Sequence, residues 1–416
     1  MKILQINKFF YLKGGAEKYF FDLSELLEKK GHHVLVFSTK HPKNYKWPNQ
    51  EDFVSYLDYS KKEGALKDLK KIFRIFSNRE AKKKLAKLIE KEKPDIAHLH
   101  NIFHHLSSSI VSVLKKANIP IVLTLHDYKL FCPNYKFYSQ NKVCYDCIKK
   151  KNFKSCVAKK CVKNSRLKSY ICALEAKWHK YLKLTDMIDA FIAPSQFIRN
   201  KAIEAGIAKE KVFYLPNFIE TPKNIIEQNS AQPAKNNRYI LFFGRISEEK
   251  GVDVLIKAFC RIAKKYPDWK LKIAGSGPKI KNLKELALLE KKQIIFLGRQ
   301  KKDKMQDLIA DAYLTVMPSL WPENFPYSIL ESFMRQKPVI ASNIGGLPEL
   351  IENQITGLLA KPHNANDLAK KIEWAIEHPK KIRQIGKTGQ LKIIVLCNPE
   401  KHYRELINIY EKIKNK

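Results

Sequence analysis

Long hydrophobic runs are missing from the sequence: no apolar stretch approaches the roughly 18 residues that a membrane-spanning helix needs. The N-terminus, Met1-Lys2-Ile3-Leu4-Gln5-Ile6-Asn7, reads as a buried strand and lacks the extended apolar stretch and small-residue cleavage site of a signal peptide. These two absences predict a cytoplasmic protein. Repeats of solenoid length and low-complexity blocks are also missing. So is the aromatic platform or recognition helix of a nucleic-acid reader, and no nucleic acid is expected as a partner. Acidic residues are scarce, 41 Asp and Glu against 78 Lys and Arg, which leaves a net charge of +37.

A hydrophobic content of 44% with 11% aromatics supplies sizeable cores, and 416 residues suit two or three domains. The basic excess has two readings. It keeps a lysine-rich protein soluble, or it faces an anionic partner such as a lipid surface or a phosphorylated substrate. Its distribution is uneven. Lys142 to Lys183 holds thirteen Lys/Arg against Asp146 and Glu175, and Lys61 to Lys93 is basic with helical spacing. Both stretches are candidates for a membrane-facing or acceptor-facing patch.

Apolar runs alternate with amphipathic helical patterns, which predicts parallel α/β layers. In the first half the strands are expected at 2–7, 34–38, 96–100, 121–125, 190–193 and 212–215. A helix over 16–30 carries Tyr19, Phe20, Leu23, Leu26 and Leu27 on one face and stops at Gly31. Residues 224–237 are polar, aperiodic and contain Pro233, so 221–237 is expected to link two domains, 1–220 and 238–398. The second half begins a new strand series at 239–243, 270–274, 294–297, 314–317 and 339–341. Residues 399–416 form a closing helix through Tyr403, Leu406, Ile407 and Tyr410.

Several motifs sit where chemistry would be expected. Lys13-Gly14-Gly15-Ala16-Glu17 follows the first strand and opens a helix, so paired glycines and free N–H groups can approach a phosphate. The spacing is not that of the dinucleotide fingerprint, and no acidic residue ends the second strand near Ser38-Thr39, which argues against NAD. In the second half, Gly244-Arg245 ends a strand and Lys250-Gly251 follows. A planar guanidinium and a point charge there can grip a diphosphate. Gly275-Ser276-Gly277 makes another strand-to-glycine turn, either a tight connection or part of a nucleotide pocket.

The most specific segment runs from Met317 through Ser319, Trp321 and Glu323 to Glu331. Its two glutamates straddle a loop-to-helix junction near Pro326, in apolar surroundings that are costly for a carboxylate without a polar partner. Glu323 can accept hydrogen bonds from sugar hydroxyls, and Glu331 from a ribose. In the first half His98, His100, Asn101, His104 and His105 end one strand, and His126-Asp127 ends the next. The His98-x-His100 spacing is taken to alternate strand faces, so the histidines are expected as polar cleft residues rather than ligands of one ion.

Taken in order, Gly14-Gly15-Ala16-Glu17, His126-Asp127, Ala193-Pro194-Ser195, Pro216-Asn217, Gly244-Arg245 to Lys250-Gly251, Gly275-Ser276-Gly277, Glu323 to Glu331 and Gly345-Gly346-Leu347-Pro348-Glu349 resemble the family 4 retaining glycosyltransferases of the GT-B fold, over essentially the whole chain. The resemblance implies two Rossmann-like parallel-sheet domains facing a central cleft, with the C-terminal helix crossing back to the first domain. It implies a nucleoside-diphosphate sugar donor, UDP- or GDP-linked, and a glycan or lipid-linked acceptor in cell-surface polysaccharide or glycolipid synthesis. Residue by residue, Gly15, Arg245 and Lys250 would meet the donor diphosphate. Gly244, Gly275 and Ser319 would shape the nucleotide pocket, Glu323 would hold sugar hydroxyls, and Glu331 the ribose. His126 would sit beside the transferred sugar. With two protein cations on the diphosphate, catalysis would require no metal cofactor.

The insert at 130–183 departs from the broad family pattern. Cys132, Cys144, Cys147, Cys156 and Cys161 crowd into thirty of its residues, with Cys172 beyond those. Cys144, Cys147, Cys156 and Cys161 approximate a four-thiolate zinc spacing, a structural site, although packed reduced cysteines fit the same pattern. The basic insert is also a candidate for peripheral contact with the inner membrane face. A nucleotide-sugar epimerase of the same architecture, or a basic nucleic-acid or anionic-surface binding protein, are the alternative functions.

Overall fold

The computed structural model describes residues 1–48, 50–59, 61, 63–220, 238–290 and 292–415. The expected linker, 221–237, lies outside them. The chain divides into two compact units. The first comprises Met1–Gln140, Cys144–Asn217 and Pro399–Lys416, and the second Asn141–Val143 and Phe218–Asn398.

In the first unit six strands run parallel: β1 (Lys2–Ile6), β2 (His33–Phe37), β3 (Ile96–Leu99), β4 (Ile121–Thr124), β5 (Ala190–Ala193) and β6 (Val212–Tyr214), in the order β2-β1-β3-β4-β5-β6. Nearly every residue in β1, β3, β4 and β5 is buried, as continuous Val/Ile/Leu runs require when helices cover both faces of a sheet. Strand order reverses between β1 and β3, and the crevice outside such a reversal is where open α/β sheets bind ligands. Helix α1 (Gly15–Lys29) leaves β1 and buries Tyr19, Phe20, Leu23, Leu26 and Leu27, the face set by its 3.6-residue period. Two further helices of this unit are α2 (Ala65–Phe76) and, within the cysteine-rich insert, α3 (Arg166–Tyr181).

The second unit repeats the plan with β7 (Tyr239–Phe243), β8 (Lys270–Ala274), β9 (Ile294–Gly298), β10 (Leu314–Met317), β11 (Val339–Ser342) and β12 (Leu358–Ala360), in the order β9-β8-β7-β10-β11-β12. Its reversal lies between β7 and β10, which pair through Leu314 and Ile240. Helix α4 (Tyr327–Met334) begins directly after Pro326. The eleven strands expected from the sequence all form, with ends moved by at most one residue, and β12 adds a sixth strand to the second sheet.

Helix α5 (Pro399–Lys414) closes the chain against the first unit. Tyr410 Oη and His98 Nδ1 share a 2.6 Å hydrogen bond, His402 Nδ1 donates to Pro216 O at 2.8 Å, and Lys414 Nζ reaches Asp95 Oδ1 at 2.6 Å. Among the described residues no helix is long and apolar enough to cross a membrane.

Candidate active site

The carboxyl ends of β7 and β10 flank the strand reversal of the second unit, and the loops that leave them carry Arg245, Lys250, Ser319 and Glu323. Glycines let the loops pack closely: a Cβ on Gly251 would stand 2.0 Å from Pro318 O in the loop after β10, and the turns after β7 and β8 also meet through glycines. Gly244 and Gly275 have φ of +147° and +151°, and a Cβ on Gly275 would stand 1.9 Å from the Gly244 carbonyl oxygen. Any side chain there would drive the two turns apart.

Glu323 is the hub. It is 4% exposed, and its Oε1 accepts from Lys250 Nζ at 2.6 Å, Ser319 Oγ at 2.7 Å and Trp321 Nε1 at 2.8 Å. These are the polar partners that its apolar sequence context demanded. Its main chain is held as well, for the Gly346 N–H donates to Glu323 O at 2.7 Å. Gly345 sits at φ +63°, and an added Cβ would lie 2.5 Å from that same oxygen.

Arg245 is half-exposed, and its Nη2 meets the buried Glu249 Oε1 at 2.6 Å. Both cations are therefore already fixed in direction by carboxylates. Lys250 spends one of three N–H donors on Glu323 and Arg245 presents a five-donor fork, so each retains capacity for phosphate oxygens. Glu331 lies half-buried within α4. Glu249 is the residue that sequence reasoning passed over. Its place four residues after Arg245 on a short helical turn was the available signal.

In the first unit Gly14, extended, precedes α1 without a side-chain cap, and Gly15 is the first helical residue, in a turn where the Glu17 carboxylate accepts from its own N–H. Glu17, in the same turn, is buried. Burial raises its carboxyl pKa, against the opposing pull of Lys8 and Lys13.

His126 ends β4, with its Nε2 3.0 Å from His100 Nδ1, while His100 Nε2 lies 2.6 Å from Gln5 Oε1. The Tyr19 ring packs edge-on against His126 at 5.3 Å. Burial pushes the His126 pKa down to about 3 and those of His98 and His100 well below the usual imidazole value. The histidines at this strand end are neutral hydrogen-bonding groups at physiological pH.

Two expectations about the histidines fail here. His98 and His100 share a face of β3, with ring centroids 4.4 Å apart, because a strand repeats every two residues and positions i and i+2 point the same way. Nor do they line a cleft: they are 0% and 1% exposed, tied to Tyr410, Thr124 and Gln5 inside the core.

In the insert, Cys132, Cys144, Cys147, Cys156 and Cys161 line one small cavity together with Asn134, Tyr138, Ser139 and Ser155. Cys132 thus joins the four thiols singled out by spacing. The Cys156 thiol bonds to Cys161 and, with Ser139 and Lys159, holds the Cys161 thiol below its usual pKa. Burial pushes Cys132 up to about 11 and Cys147 up to about 12.

A second cluster, His104, Cys172 and Glu175, has its ligand atoms within 4.8 Å of one another. There the Lys129 ammonium already sits 2.8 Å from Glu175 and His104 Nε2 3.1 Å away. A resident cation balances that carboxylate, so the cluster reads as a buried ion-pair network rather than a metal site.

Comparison with known proteins agrees with this arrangement. Residues 13–223 match the model of Glycosyltransferase Family 4, and residues 224–392 that of Glycosyl transferases group 1. A protein of the Klebsiella pneumoniae cps region, itself uncharacterised, is 28% identical over 84% of this chain and 87% of its own length. An uncharacterised glycosyltransferase of Methanocaldococcus jannaschii is 25% identical over 94% of this chain and 92% of its own. Among solved structures, Anabaena HepE in complex with UDP-glucose superposes with a TM-score of 0.64 at 21% identity, covering both chains completely. With its two parallel sheets of the GT-B type and its cations and glutamates at the strand reversal, this chain belongs to glycosyltransferase family 4.

Proposed function

We propose that this glycosyltransferase moves a sugar from a UDP- or GDP-linked donor to a glycan or lipid-linked acceptor, with retention of anomeric configuration, in the synthesis of a cell-surface polysaccharide or glycolipid. The observation that carries the reading is the Lys250–Glu323–Ser319–Trp321 cluster at the strand reversal of the second unit, with Arg245 beside Glu249. A diphosphate arriving there meets two cations aimed by carboxylates. Their charge stabilises the leaving nucleoside diphosphate as the anomeric bond breaks, which is the largest electrostatic demand of the reaction. A leaving group neutralised in this way does not require a divalent metal.

Glu323, relieved of part of its bond to Lys250, accepts from donor-sugar hydroxyls, and Glu331 from the ribose. Gly15 offers backbone N–H groups to the diphosphate at the start of α1. His126, neutral and held by His100, hydrogen-bonds the transferred sugar without adding a competing charge. The complex of HepE with UDP-glucose supports a nucleoside-diphosphate donor for this fold. The reaction is placed in the cytoplasm, at the inner membrane face, in keeping with the basic excess of the chain.

A thermal-shift screen against UDP-, GDP-, ADP- and dTDP-sugars tests the donor site. A ligand of the folded state at a hundredfold excess over Kd stabilises by about 2.7 kcal/mol. A shift selective for one base is expected, followed by turnover whose product configuration is read by NMR. No shift from any of them in a folded sample refutes the donor assignment, and an inverted product refutes retention.

We propose in addition that the insert holds a structural zinc. Thiolates are its preferred ligands, and Cys144, Cys147, Cys156 and Cys161, the four selected by spacing, line one cavity. Cys132 lines the same cavity but donates its Sγ–H to Asn134 Oδ1 at 2.9 Å, while the Cys156 thiol bonds to Cys161. Zinc would draw the thiols to one centre, displace their protons and pin the insert.

A further inference from the structure

Helix α2 is built inside out. Its buried face holds Lys71 and Ile75, and the Lys71 ammonium is answered by Glu63 at 3.1 Å, Asp68 at 3.6 Å and the carbonyls of Asp58 and Lys61. Leu66, Leu69 and Phe73, spaced three and four residues apart, point outward and are 79%, 49% and 65% exposed. A helix that turns Leu66, Leu69 and Phe73 to solvent and Lys71 to the protein leaves an apolar stripe open to a partner.

Helix α3 packs against α2 and repeats the pattern. Ser169, Cys172, Ala173, Glu175, Ala176 and His179 face inward. Leu167, Tyr170, Leu174, Trp178 and Tyr181 recur at intervals of three and four residues along the opposite side, with Tyr181 77% exposed and stacked on Trp178 at 5.5 Å. The stripe is rimmed by exposed Arg166, Lys168, Lys177 and Lys180, and that of α2 by Lys67 and Lys70. The acids of the two helices do not share this face: Glu175 is buried on Lys129, and Asp68 pairs with Lys71.

We propose that the outward stripes of α2 and α3 form one docking face for an anionic bilayer surface. Two neighbouring helices lie in the headgroup layer, with their leucines and aromatics reaching the acyl boundary and their lysines on the lipid phosphates. Apolar stripe, aromatic pair and basic rim are the attributes of an interfacial helix, and the charge complements an anionic surface rather than a neutral one. Glu175 ties the inner side of α3 to Lys129, three residues after His126, so docking braces the loop beyond β4. This inference rests on the proposed reaction at a membrane face, but the two fail separately, because donor binding is measured without lipid.

The test is flotation of the full chain with vesicles of phosphatidylcholine alone and of equal parts phosphatidylcholine and phosphatidylglycerol. The parent protein is expected to float with the anionic vesicles and to remain behind with the neutral ones. Phe73→Ser combined with Trp178→Ser and Tyr181→Ser should lower partitioning about tenfold or more, as should Lys67→Glu with Lys177→Glu. All five positions are exposed, so the melting temperature and the shift given by a UDP-sugar serve as the folding control and are expected to stay. Undiminished flotation of the aromatic variant would overturn the proposal. So would parent chains that ignore vesicles but form a dimer, seen by light scattering, that the same substitutions dissolve.

Discussion

Lys250 Nζ lies 2.6 Å from Glu323 Oε1, a carboxylate 4% exposed, so the cation assigned to the diphosphate and the glutamate assigned to the sugar hold each other before any donor arrives. Losing one partner differs from losing both. Lys250→Met strands a buried carboxylate and should destabilise the fold by about 3 kcal/mol. Adding Glu323→Gln should restore most of that loss, because the interior then holds no unpaired charge. Denaturant melts of the two singles and the double measure the coupling. Glu323→Gln alone should cut sugar transfer about 100-fold or more while leaving free UDP affinity little changed. Turnover at the parent rate would remove Glu323 from the donor site.

Gly345 transmits a further constraint to the same carboxylate. Its φ of +63° disfavours any other residue, and an alanine Cβ would fall 2.5 Å from Glu323 O and 2.7 Å from Glu323 N. Gly345→Ala should therefore cost about 1–3 kcal/mol of stability and displace the Glu323 backbone. The expected signature is a fall in kcat larger than that of Gly31→Ala, whose added Cβ meets nothing within 4 Å. Equal kinetics for the two variants would separate Gly345 from the site.

Acid should loosen the first unit at the seat of α5. Burial lowers the His402 pKa to about 4 and those of His98 and His100 well below the usual value. An unfolded histidine titrates near 6.5, so between about 6.5 and 4 the unfolded chain binds more protons and stability rises with pH. It is lost as the pH falls through that window, by up to about 1.4 kcal/mol per pH unit for each such histidine. Melting temperatures from pH 7.5 to 5 should drop accordingly, and His402→Gln should flatten the slope. A slope that the substitution leaves unchanged would assign the acid sensitivity elsewhere.

The strands and the glycine turns were legible because each is a local pattern: apolar runs of four or five residues, each ended by a turn. Strand β12 was not, since Leu358-Leu359-Ala360 is too short to show a period. The site was legible as residue types but not as pairings. That Lys250 answers Glu323, 73 positions away, follows only from the closeness of β7 and β10. The strand-face error at His98 and His100 was one of counting, and their burial under Tyr410 depends on a helix more than 300 residues later. The sequence showed α2 only as part of a basic stretch with helical spacing. Which side faces inward was decided by Lys71 and its ring of acceptors, beyond the reach of periodicity.

The cysteine insert allows a choice between ligand sets. Spacing selects Cys144, Cys147, Cys156 and Cys161, and the cavity offers Cys132 in place of one of them. Elemental analysis of protein purified without chelator should give about one zinc per chain. Cys147→Ser and Cys156→Ser should each abolish it, and Cys132→Ser should retain it. Removing the metal with a chelator should lower the melting temperature without changing UDP affinity, because binding energy at a structural site is folding energy of the segment it pins. Loss of zinc in Cys132→Ser and its retention by Cys156→Ser would move Cys132 into the ligand set in place of Cys156. Metal-free parent protein with an unaltered melt would leave the five thiols as reduced packing residues.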